Sequence, residues 1–240
     1  MNSASMNQVR EPQLFAGAAA PRISPTRYRG IIFDLDGSLM DSMWIWRAID
    51  IEFLGRHGHG LPEGFQDEIS GRSFYETAVI FKERFSLPES LEEIMAEWNR
   101  MAFEKYAHEV FLKPGADVLL QYCMDHGIRL AIATSNSREL VDQVLASNGV
   151  TDLFQAIVTG SEVTRGKPEP DVYLCAAEKI GVAPEEALAF EDIVVGIRSA
   201  KAAGMEACAV YDEASSHTEE MKRREADYWI RDFRDLAFDR

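Results

Sequence analysis

The chain has 240 residues, of which 46% are hydrophobic and 27% charged, enough to build one α/β domain or a core domain with a smaller insert. Its formal charge of −15 argues against general affinity for nucleic acid or an anionic membrane, so we expect neither as a partner. An acidic protein can still bind a small anion where a metal ion and a few basic side chains dominate locally.

Residues 1–27 differ in composition from the rest of the chain, being small, polar and rich in Pro and Ala. Because they lack the apolar segment of a secretory signal, we interpret them as a poorly ordered extension, with a transit peptide as the alternative. No apolar run approaches the roughly 18 residues that cross a membrane. Three cysteines without metal-type spacing fit a reducing compartment, so we expect a cytoplasmic protein with all three thiols buried. They are Cys123, Cys175 and Cys208.

Six short apolar runs predict the strands of a mostly parallel sheet. The first, at residues 30–33, is uninterrupted by polar residues and ends abruptly in carboxylates, which is typical of a buried parallel strand. The other five lie at residues 128–133, 156–159, 187–190, 206–210 and 228–230. Helical patterns separate most of these runs, at residues 116–126, 137–148, 171–180 and 194–203. This alternation indicates right-handed βαβ units, and hence an α/β fold.

Residues 42–113 break the alternation, because they carry helical patterns but no convincing strand. The clearest of these patterns lie at residues 46–54, 75–85 and 91–106. About 70 residues of helix placed directly after the first strand exceed the length of a simple crossover connection. We therefore predict an all-helical cap domain at residues 42–113, inserted into an α/β core formed by residues 28–41 and 114–240.

The sharpest local signal, the segment Asp34-Leu35-Asp36-Gly37-Ser38, follows the first predicted strand. Open parallel sheets bind ligands outside the carboxyl ends of their strands, so we expect both carboxylates at a crevice. Two carboxylates this close are costly unless a cation neutralises them. One can act as a nucleophile while the other delivers a proton, if their environments differ. Taken alone, the segment also fits a solvated turn, which Gly37 would permit.

Polar residues also follow the next three predicted strands. Thr134-Ser135-Asn136 ends the second strand, Lys167 lies between Gly and Pro after the third, and Glu191-Asp192 follows the fourth. A loop lysine can stabilise the charge of a nucleophile and of a transferring group, and paired carboxylates can hold a hard cation. Each has a structural alternative: a helix cap or a local Ser/Thr turn for Thr134, a solvated lysine, and carboxylates that serve only a helix N-terminus.

In this order, the segments resemble the motifs of the haloacid dehalogenase-like phosphohydrolase superfamily. The similar stretches are FDLDGSL at 33–39, TSN at 134–136, GKPEP at 166–170 and EDxxxGxxxAxxAGM at 191–205. The resemblance implies a Rossmann-like parallel sheet with an inserted helical cap, and a phosphoryl-transfer reaction that depends on Mg²⁺.

The resemblance also assigns catalytic roles. Asp34 would attack phosphorus and form an aspartyl-phosphate, while Asp36 would protonate the leaving oxygen and then activate water. Thr134 would contact the phosphoryl oxygens, with Ser135-Asn136 lining the same loop. Lys167 would stabilise the nucleophile and the transferring group.

The same likeness implies a set of ligands for Mg²⁺. Asp192 would bind the ion directly, and Asp34 would supply a carboxylate oxygen. Asp36 would contribute its backbone carbonyl. Glu191 would either be a further ligand or contact the ligands without binding the ion itself.

The position of the cap resembles the branch of the superfamily that contains β-phosphoglucomutase-like enzymes. In that branch the cap closes over the site and selects the substrate. Gly71 and Arg72 resemble its specificity loop, where Arg72 would bind a second phosphate or a sugar hydroxyl, with a solvated turn as the alternative. Trp44 and Trp46 either form a wall facing the core or pack within the cap.

We therefore predict a monomeric phosphatase whose substrate is a small phosphorylated metabolite, such as a sugar phosphate. A phosphosugar mutase of the β-phosphoglucomutase type is the first alternative, although Trp46 and Phe74 replace its cap histidine and its phosphate-binding arginine. A non-catalytic module that binds a phosphometabolite is the second, although such a module has little need of Asp36. Dehalogenase relatives lack that second aspartate.

Overall fold

The computed structural model describes residues 20–24, 26–69 and 72–239, so most of the extension predicted at residues 1–27 lies outside it. Within those ranges, no helix is long and apolar enough to span a membrane.

The strands are β1 (Arg22–Ile23), β2 (Gly30–Phe33), β3 (Arg129–Thr134), β4 (Ala156–Thr159), β5 (Ala187–Glu191), β6 (Glu206–Val210), β7 (Tyr228–Ile230) and β8 (Ala237–Phe238). The α-helices are α1 (Met43–Arg56), α2 (Phe65–Ile69), α3 (Phe74–Phe85), α4 (Leu91–His108), α5 (Ala116–His126), α6 (Arg138–Ser147), α7 (Asp171–Ile180), α8 (Val194–Ala202) and α9 (Glu219–Glu225).

Six strands form one sheet in the order β4-β3-β2-β5-β6-β7, and every neighbouring pair is parallel. The six predicted strands and the α/β class are therefore confirmed. β2 is buried along its whole length, as its apolar run predicts for a central strand. The register sets Phe33 beside both Ile132 and Phe190, so β2, β3 and β5 end at nearly the same level. Residues that follow these three strands are thereby brought to one edge of the sheet.

Helices cover both faces of the sheet, because successive residues of a strand point to opposite sides. Phe33 packs in the layer that contains α5 and α6, whereas Ile32 packs in the layer of α7 and α8. The prediction that all three cysteines are buried is wrong for one of them. Cys175 is only half-buried, because it lies beside the apolar stripe of α7 and not on it. Cys123 and Cys208 are buried.

The segment predicted as a cap contains four helices, α1 to α4. Among its described residues, the β-type pairing is confined to an isolated bridge between Met40 and Leu112, where the chain enters and leaves the segment. The inserted helical unit of the predicted fold class is therefore present. The exact domain boundaries at residues 42 and 113 stay a prediction.

Aromatic packing and helix caps account for the shape of this segment. Phe53, Phe81 and Trp98 come from three different helices, and their ring centroids lie 4.7–6.4 Å apart. Contacts of this kind add to the stabilisation that each ring gains from burial. α3 and α4 both begin with a capping box, in which Ser73 or Ser90 exchanges hydrogen bonds with a glutamate three residues later.

Candidate active site

Side chains from four loops meet at the carboxyl edge of the sheet. Asp34 and Asp36 follow β2, Thr134 ends β3, Lys167 lies after β4 and Asp192 follows β5. All five line a cleft of about 220 Å³ between the sheet edge and the helical segment. From the helical segment, the cleft is lined by side chains that include Trp46, Asp50, Gln66, Arg72, Phe74 and Trp98.

Lys167 joins two of the carboxylates. Its Nζ lies 2.7 Å from Asp34 Oδ1 and 2.5 Å from Glu191 Oε1, and its side chain is only 3% exposed. The hydroxyl of Tyr173 donates a further hydrogen bond to Glu191 Oε1, at 2.6 Å. This lysine is therefore a buried cation aimed at Asp34, which excludes the alternative of a solvated loop lysine.

Burial dominates the electrostatics of the acidic groups. It raises the pKa of Asp34 to about 8 in spite of Lys167. It also raises the pKa of Asp192, an effect that the neighbouring Asp34 increases. For Lys167, burial would lower the pKa, but Asp34 and Glu191 reverse that effect and raise it. The lysine thus stays charged, whereas Asp34 and Asp192 need more positive charge nearby before both ionise near neutral pH.

The acidic groups fit a hard divalent cation. One carboxylate oxygen from each of Asp34, Glu191 and Asp192 lies within 4.8 Å of the others. Asp192 Oδ2 and Glu191 Oε2 are both buried and have no hydrogen-bond partner among the described residues. Leaving such oxygens unpaired is costly, and oxygen donors of this type are what Mg²⁺ prefers. The alternative that these carboxylates serve only a helix N-terminus does not account for their burial or their clustering.

Two glycines provide the room that this cluster needs. Gly37 has φ +78°, and a Cβ added to it would lie 2.4 Å from Asp192 Oδ2. At Gly196, a Cβ would lie 1.9 Å from Glu191 Oε1. Any side chain at either position would therefore displace a carboxylate of the cluster. Gly37 serves the approach of Asp192 as well as the turn for which the sequence suggests it.

Asp36 occupies a different environment from Asp34. Its Oδ1 accepts a hydrogen bond from Ser42 Oγ at 2.6 Å and another from the hydroxyl of Tyr106. Its Oδ2 accepts from Asn136 Nδ2 at 2.8 Å. Burial raises the pKa of Asp36, although these three donors oppose the effect. The two aspartates therefore differ in partners, Asp34 facing a lysine and Asp36 facing neutral donors, which suits them to different chemical tasks.

The loop after β3 contributes Thr134, Ser135 and Asn136 to the cleft. Thr134 Oγ1 accepts a hydrogen bond from the backbone N–H of Asn136 at 3.0 Å. The N-cap of α6 is Ser137, so Thr134 does not cap that helix, whereas its bond to Asn136 is the one expected of the other alternative, a local Ser/Thr turn. The Asn136 amide donates to Asp36, so Asn136 orients that carboxyl in addition to the lining role predicted for it.

The residues predicted for the cap have different positions. Arg72 lines the cleft, and its Nε donates to the backbone carbonyl of Glu68 at 3.1 Å. Gly71 lies outside the described residues. Trp46 lines the cleft, whereas Trp44 is 45% exposed, so the two tryptophans do not form one wall.

Two tyrosines of the site are missed by the sequence reasoning. Tyr106 reaches Asp36 from α4, and Tyr173 reaches Glu191 from α7. Both are fully surrounded by protein, and burial raises the pKa of each hydroxyl, so each is a neutral donor. Their helical spacing places both among apolar residues, and nothing in the sequence distinguishes them from ordinary core aromatics.

Comparison with known proteins gives a consistent result. The family model described as haloacid dehalogenase-like hydrolase matches residues 31–210. Hexitol phosphatase A of Escherichia coli is 34% identical over 188 residues, which cover 77% of this chain and 83% of that protein. The bifunctional riboflavin kinase/FMN phosphatase of Arabidopsis thaliana is 30% identical over 181 residues, covering 75% of this chain but only 48% of that protein. A mutant of CbbY from Rhodobacter sphaeroides, crystallised with xylulose-(1,5)bisphosphate, has a TM-score of 0.80 at 25% identity, with 88% of this chain and 97% of that chain covered.

Proposed function

The chain belongs to the haloacid dehalogenase-like hydrolases, and from this premise we propose that it is a Mg²⁺-dependent phosphatase that forms an aspartyl-phosphate on Asp34. The observation that carries the proposal is the contrast between two neighbouring aspartates. Asp34 contacts the buried ammonium of Lys167, while Asp36 accepts its hydrogen bonds from neutral donors. One aspartate is thus arranged to attack, and the other to move a proton.

In the first step, a carboxylate oxygen of Asp34 bonds to phosphorus, and the bond from phosphorus to the ester oxygen breaks. Asp36, whose pKa is raised by burial, donates its proton to that leaving oxygen. Lys167 offsets the negative charge of Asp34 and of the transferring group throughout. The products of this step are an alcohol and the aspartyl-phosphate.

In the second step, water attacks the phosphorus of the aspartyl-phosphate. Asp36, now ionised, accepts a proton from that water, and the bond between phosphorus and the Asp34 oxygen breaks. Inorganic phosphate leaves and both aspartates return to their starting states. Ser42 and Asn136 hold Asp36 in one orientation for both proton transfers.

Asp34, Asp192 and the backbone carbonyl of Asp36 would hold the metal ion, with Glu191 in the same cluster. When bound, Mg²⁺ supplies positive charge that favours ionised carboxylates and offsets the charge of the phosphoryl oxygens. The unpaired oxygens of Asp192 and Glu191 support this assignment.

We propose that the substrate is a small phosphorylated metabolite, and most specifically a sugar phosphate. The size of the cleft, about 220 Å³, suits a ligand of that class. Hexitol phosphatase A, a relative, is named for a phosphorylated polyol.

The two alternatives receive less support. Trp46 and Phe74 form part of the cleft wall where the resemblance would place a histidine and an arginine in a phosphosugar mutase. Their ring centroids lie 6.0 Å apart, so they contact each other and leave no basic group at those positions. A binding module would not need Asp36 to be held by three donors.

The proposal is tested by measuring release of inorganic phosphate from a panel of sugar, polyol and nucleoside monophosphates, with and without Mg²⁺. We expect turnover that requires Mg²⁺ and disappears in Asp34→Asn. Isomerisation of a hexose phosphate without phosphate release would favour the mutase. Binding of these esters without any turnover would favour the binding module.

A further inference from the structure

One further acidic side chain lines the cleft and has no part in the reaction steps above. Asp50, on α1, is only 6% exposed, and it lines the cleft together with Gln66. Gln66 Nε2 donates to Asp50 Oδ2 at 2.5 Å. Within the described ranges, no donor reaches Asp50 Oδ1, and no lysine, arginine or histidine forms an ion pair with this carboxyl.

A buried carboxyl with one neutral partner is unfavourable for the fold. Burial raises the pKa of Asp50 to about 7, and the hydrogen bond from Gln66 offsets only part of that effect. An apolar residue of similar size would avoid this cost. Asp50 therefore contributes little to stability in this position. Binding of a ligand in the cleft would account for a carboxyl there.

We propose that Asp50 and Gln66 form a recognition site for neighbouring hydroxyl groups on the part of the substrate remote from the phosphate. This inference rests on the proposed function and names the residues that would recognise the sugar or polyol part of the substrate. It identifies Asp50 as a residue that determines specificity, since the carboxyl would contact the substrate without contacting the reacting atoms.

The chemistry of the two side chains suits hydroxyl groups. A carboxylate can accept from two adjacent hydroxyls at once, and the Gln66 amide oxygen offers another acceptor. Because the pKa of Asp50 lies at about 7, the carboxyl is present in both forms near neutral pH. A hydroxyl can donate to the ionised form and accept from the protonated one. An ammonium group could use only the ionised form, and it would share the cleft with the positive charges of Arg72 and Lys167.

The remaining cleft wall is compatible with a sugar or polyol chain. Trp46, Phe74 and Trp98 present aromatic surface to the cleft, against which the C–H groups of such a chain can pack.

The test compares two substrates of equal chain length, sorbitol 6-phosphate and hexyl phosphate, with p-nitrophenyl phosphate as a third substrate. For the wild type we expect a higher kcat/KM on the sorbitol ester than on the hexyl ester. In Asp50→Leu we expect kcat/KM for the sorbitol ester to fall by roughly 10- to 100-fold, the loss typical of a hydrogen bond to a charged group. The values for hexyl and p-nitrophenyl phosphate should stay within about threefold of wild type.

Glu52→Leu is the matched control, because Glu52 lies on the same helix with its side chain 52% exposed and should leave all three values unchanged. Asp50→Asn keeps the shape of the side chain, and it should show the same selective loss in a smaller degree. An equal loss on all three substrates would overturn the proposal and indicate a structural role. Wild-type turnover of p-nitrophenyl phosphate without preference for the sorbitol ester would overturn the recognition site alone. Turnover of none of the three would overturn the proposed function with it.

Discussion

Tyr106 donates a hydrogen bond to Asp36, across 70 positions of sequence, from the last helix of the inserted segment to the loop after the first sheet strand. Asn136 Nδ2 contacts the same tyrosine hydroxyl at 3.0 Å, so the three side chains form one network. The proposed acid–base group is therefore oriented partly by the helical segment. A change in the position of that segment would change the partners of Asp36.

We predict that Tyr106→Phe lowers kcat by roughly 10- to 100-fold, because it removes one of three donors that orient Asp36. The fold should persist, since the ring remains buried in the same place. Steady-state kinetics and thermal unfolding measure the two effects. Tyr122→Phe is the control, because among the described residues that hydroxyl donates to the backbone carbonyls of Ile23 and Asp239, far from Asp36 in the fold. Equal activity of the two variants would show that the Tyr106 hydroxyl does not assist Asp36.

Asp192→Asn should separate metal binding from folding. Without metal, we expect this variant to be at least as stable as wild type, because the substitution replaces a buried ionisable carboxyl, whose pKa is raised by burial, with a neutral amide. Mg²⁺ at a hundredfold excess over Kd should stabilise the wild type by about 2.7 kcal/mol and leave the variant unchanged. Chemical unfolding with Mg²⁺ or with a chelator measures both the stability without metal and the stabilisation by Mg²⁺. An identical response of the two proteins to Mg²⁺ would rule out Asp192 as a ligand.

Gly37→Ala should disable the site through a steric conflict. The new Cβ would lie 2.4 Å from Asp192 Oδ2 in a residue with φ +78°. We expect the stabilisation by Mg²⁺ to disappear and activity to fall at least about 100-fold. Gly58→Ala is a close control, because Gly58 has φ +76° but no described atom within 4 Å of the added Cβ. Both variants should lose about 1–2 kcal/mol from backbone strain, and only the first should lose activity. Similar activity in both would contradict the steric account.

Asp50 should make stability depend on pH. Its pKa is about 7 in the folded protein, whereas an ordinary solvated aspartate has a pKa of 3.8. Between these two pH values the unfolded chain therefore binds fewer protons than the folded protein. The contribution of Asp50 to wild-type stability should therefore fall as the pH rises from about 4 to about 7, by up to about 4 kcal/mol. Asp50→Asn lacks this contribution, and its stability relative to wild type should increase over the same range. Urea unfolding at several pH values measures the difference, and a difference that does not change with pH would contradict the burial of an ionisable Asp50.

Much of the site follows from the ends of the strands. Asp34, Thr134 and Asp192 meet because parallel strands in register end at one edge, and the alternation of strands and helices predicts that edge. Hydrophobic runs are sufficient for this inference, because strand order and register bring the loops together whatever their side chains are.

The contributions of the helices could not be predicted in the same way. Tyr106 reaches Asp36 and Asp50 reaches the cleft because of the rotation of α4 and α1 about their own axes. That rotation is set by tertiary packing around Phe53 and Trp98. The periodic pattern of α4 indicates a buried face but does not indicate which part of it borders a cleft. Asp50 occupies a buried position of α1 that the helical pattern assigns to an apolar residue.

The central claim is that phosphate passes through Asp34, and trapping that intermediate in Asp36→Asn tests it most directly. p-Nitrophenolate leaves without needing a proton, so this variant should complete the first step with p-nitrophenyl phosphate and stall at the second. We predict a rapid burst of one p-nitrophenolate per protein molecule, and after acid quenching a phosphoryl group on the peptide that contains Asp34. Asp34→Asn should show neither. A phosphoryl group on another residue, or hydrolysis by Asp34→Asn at the wild-type rate, would contradict the account.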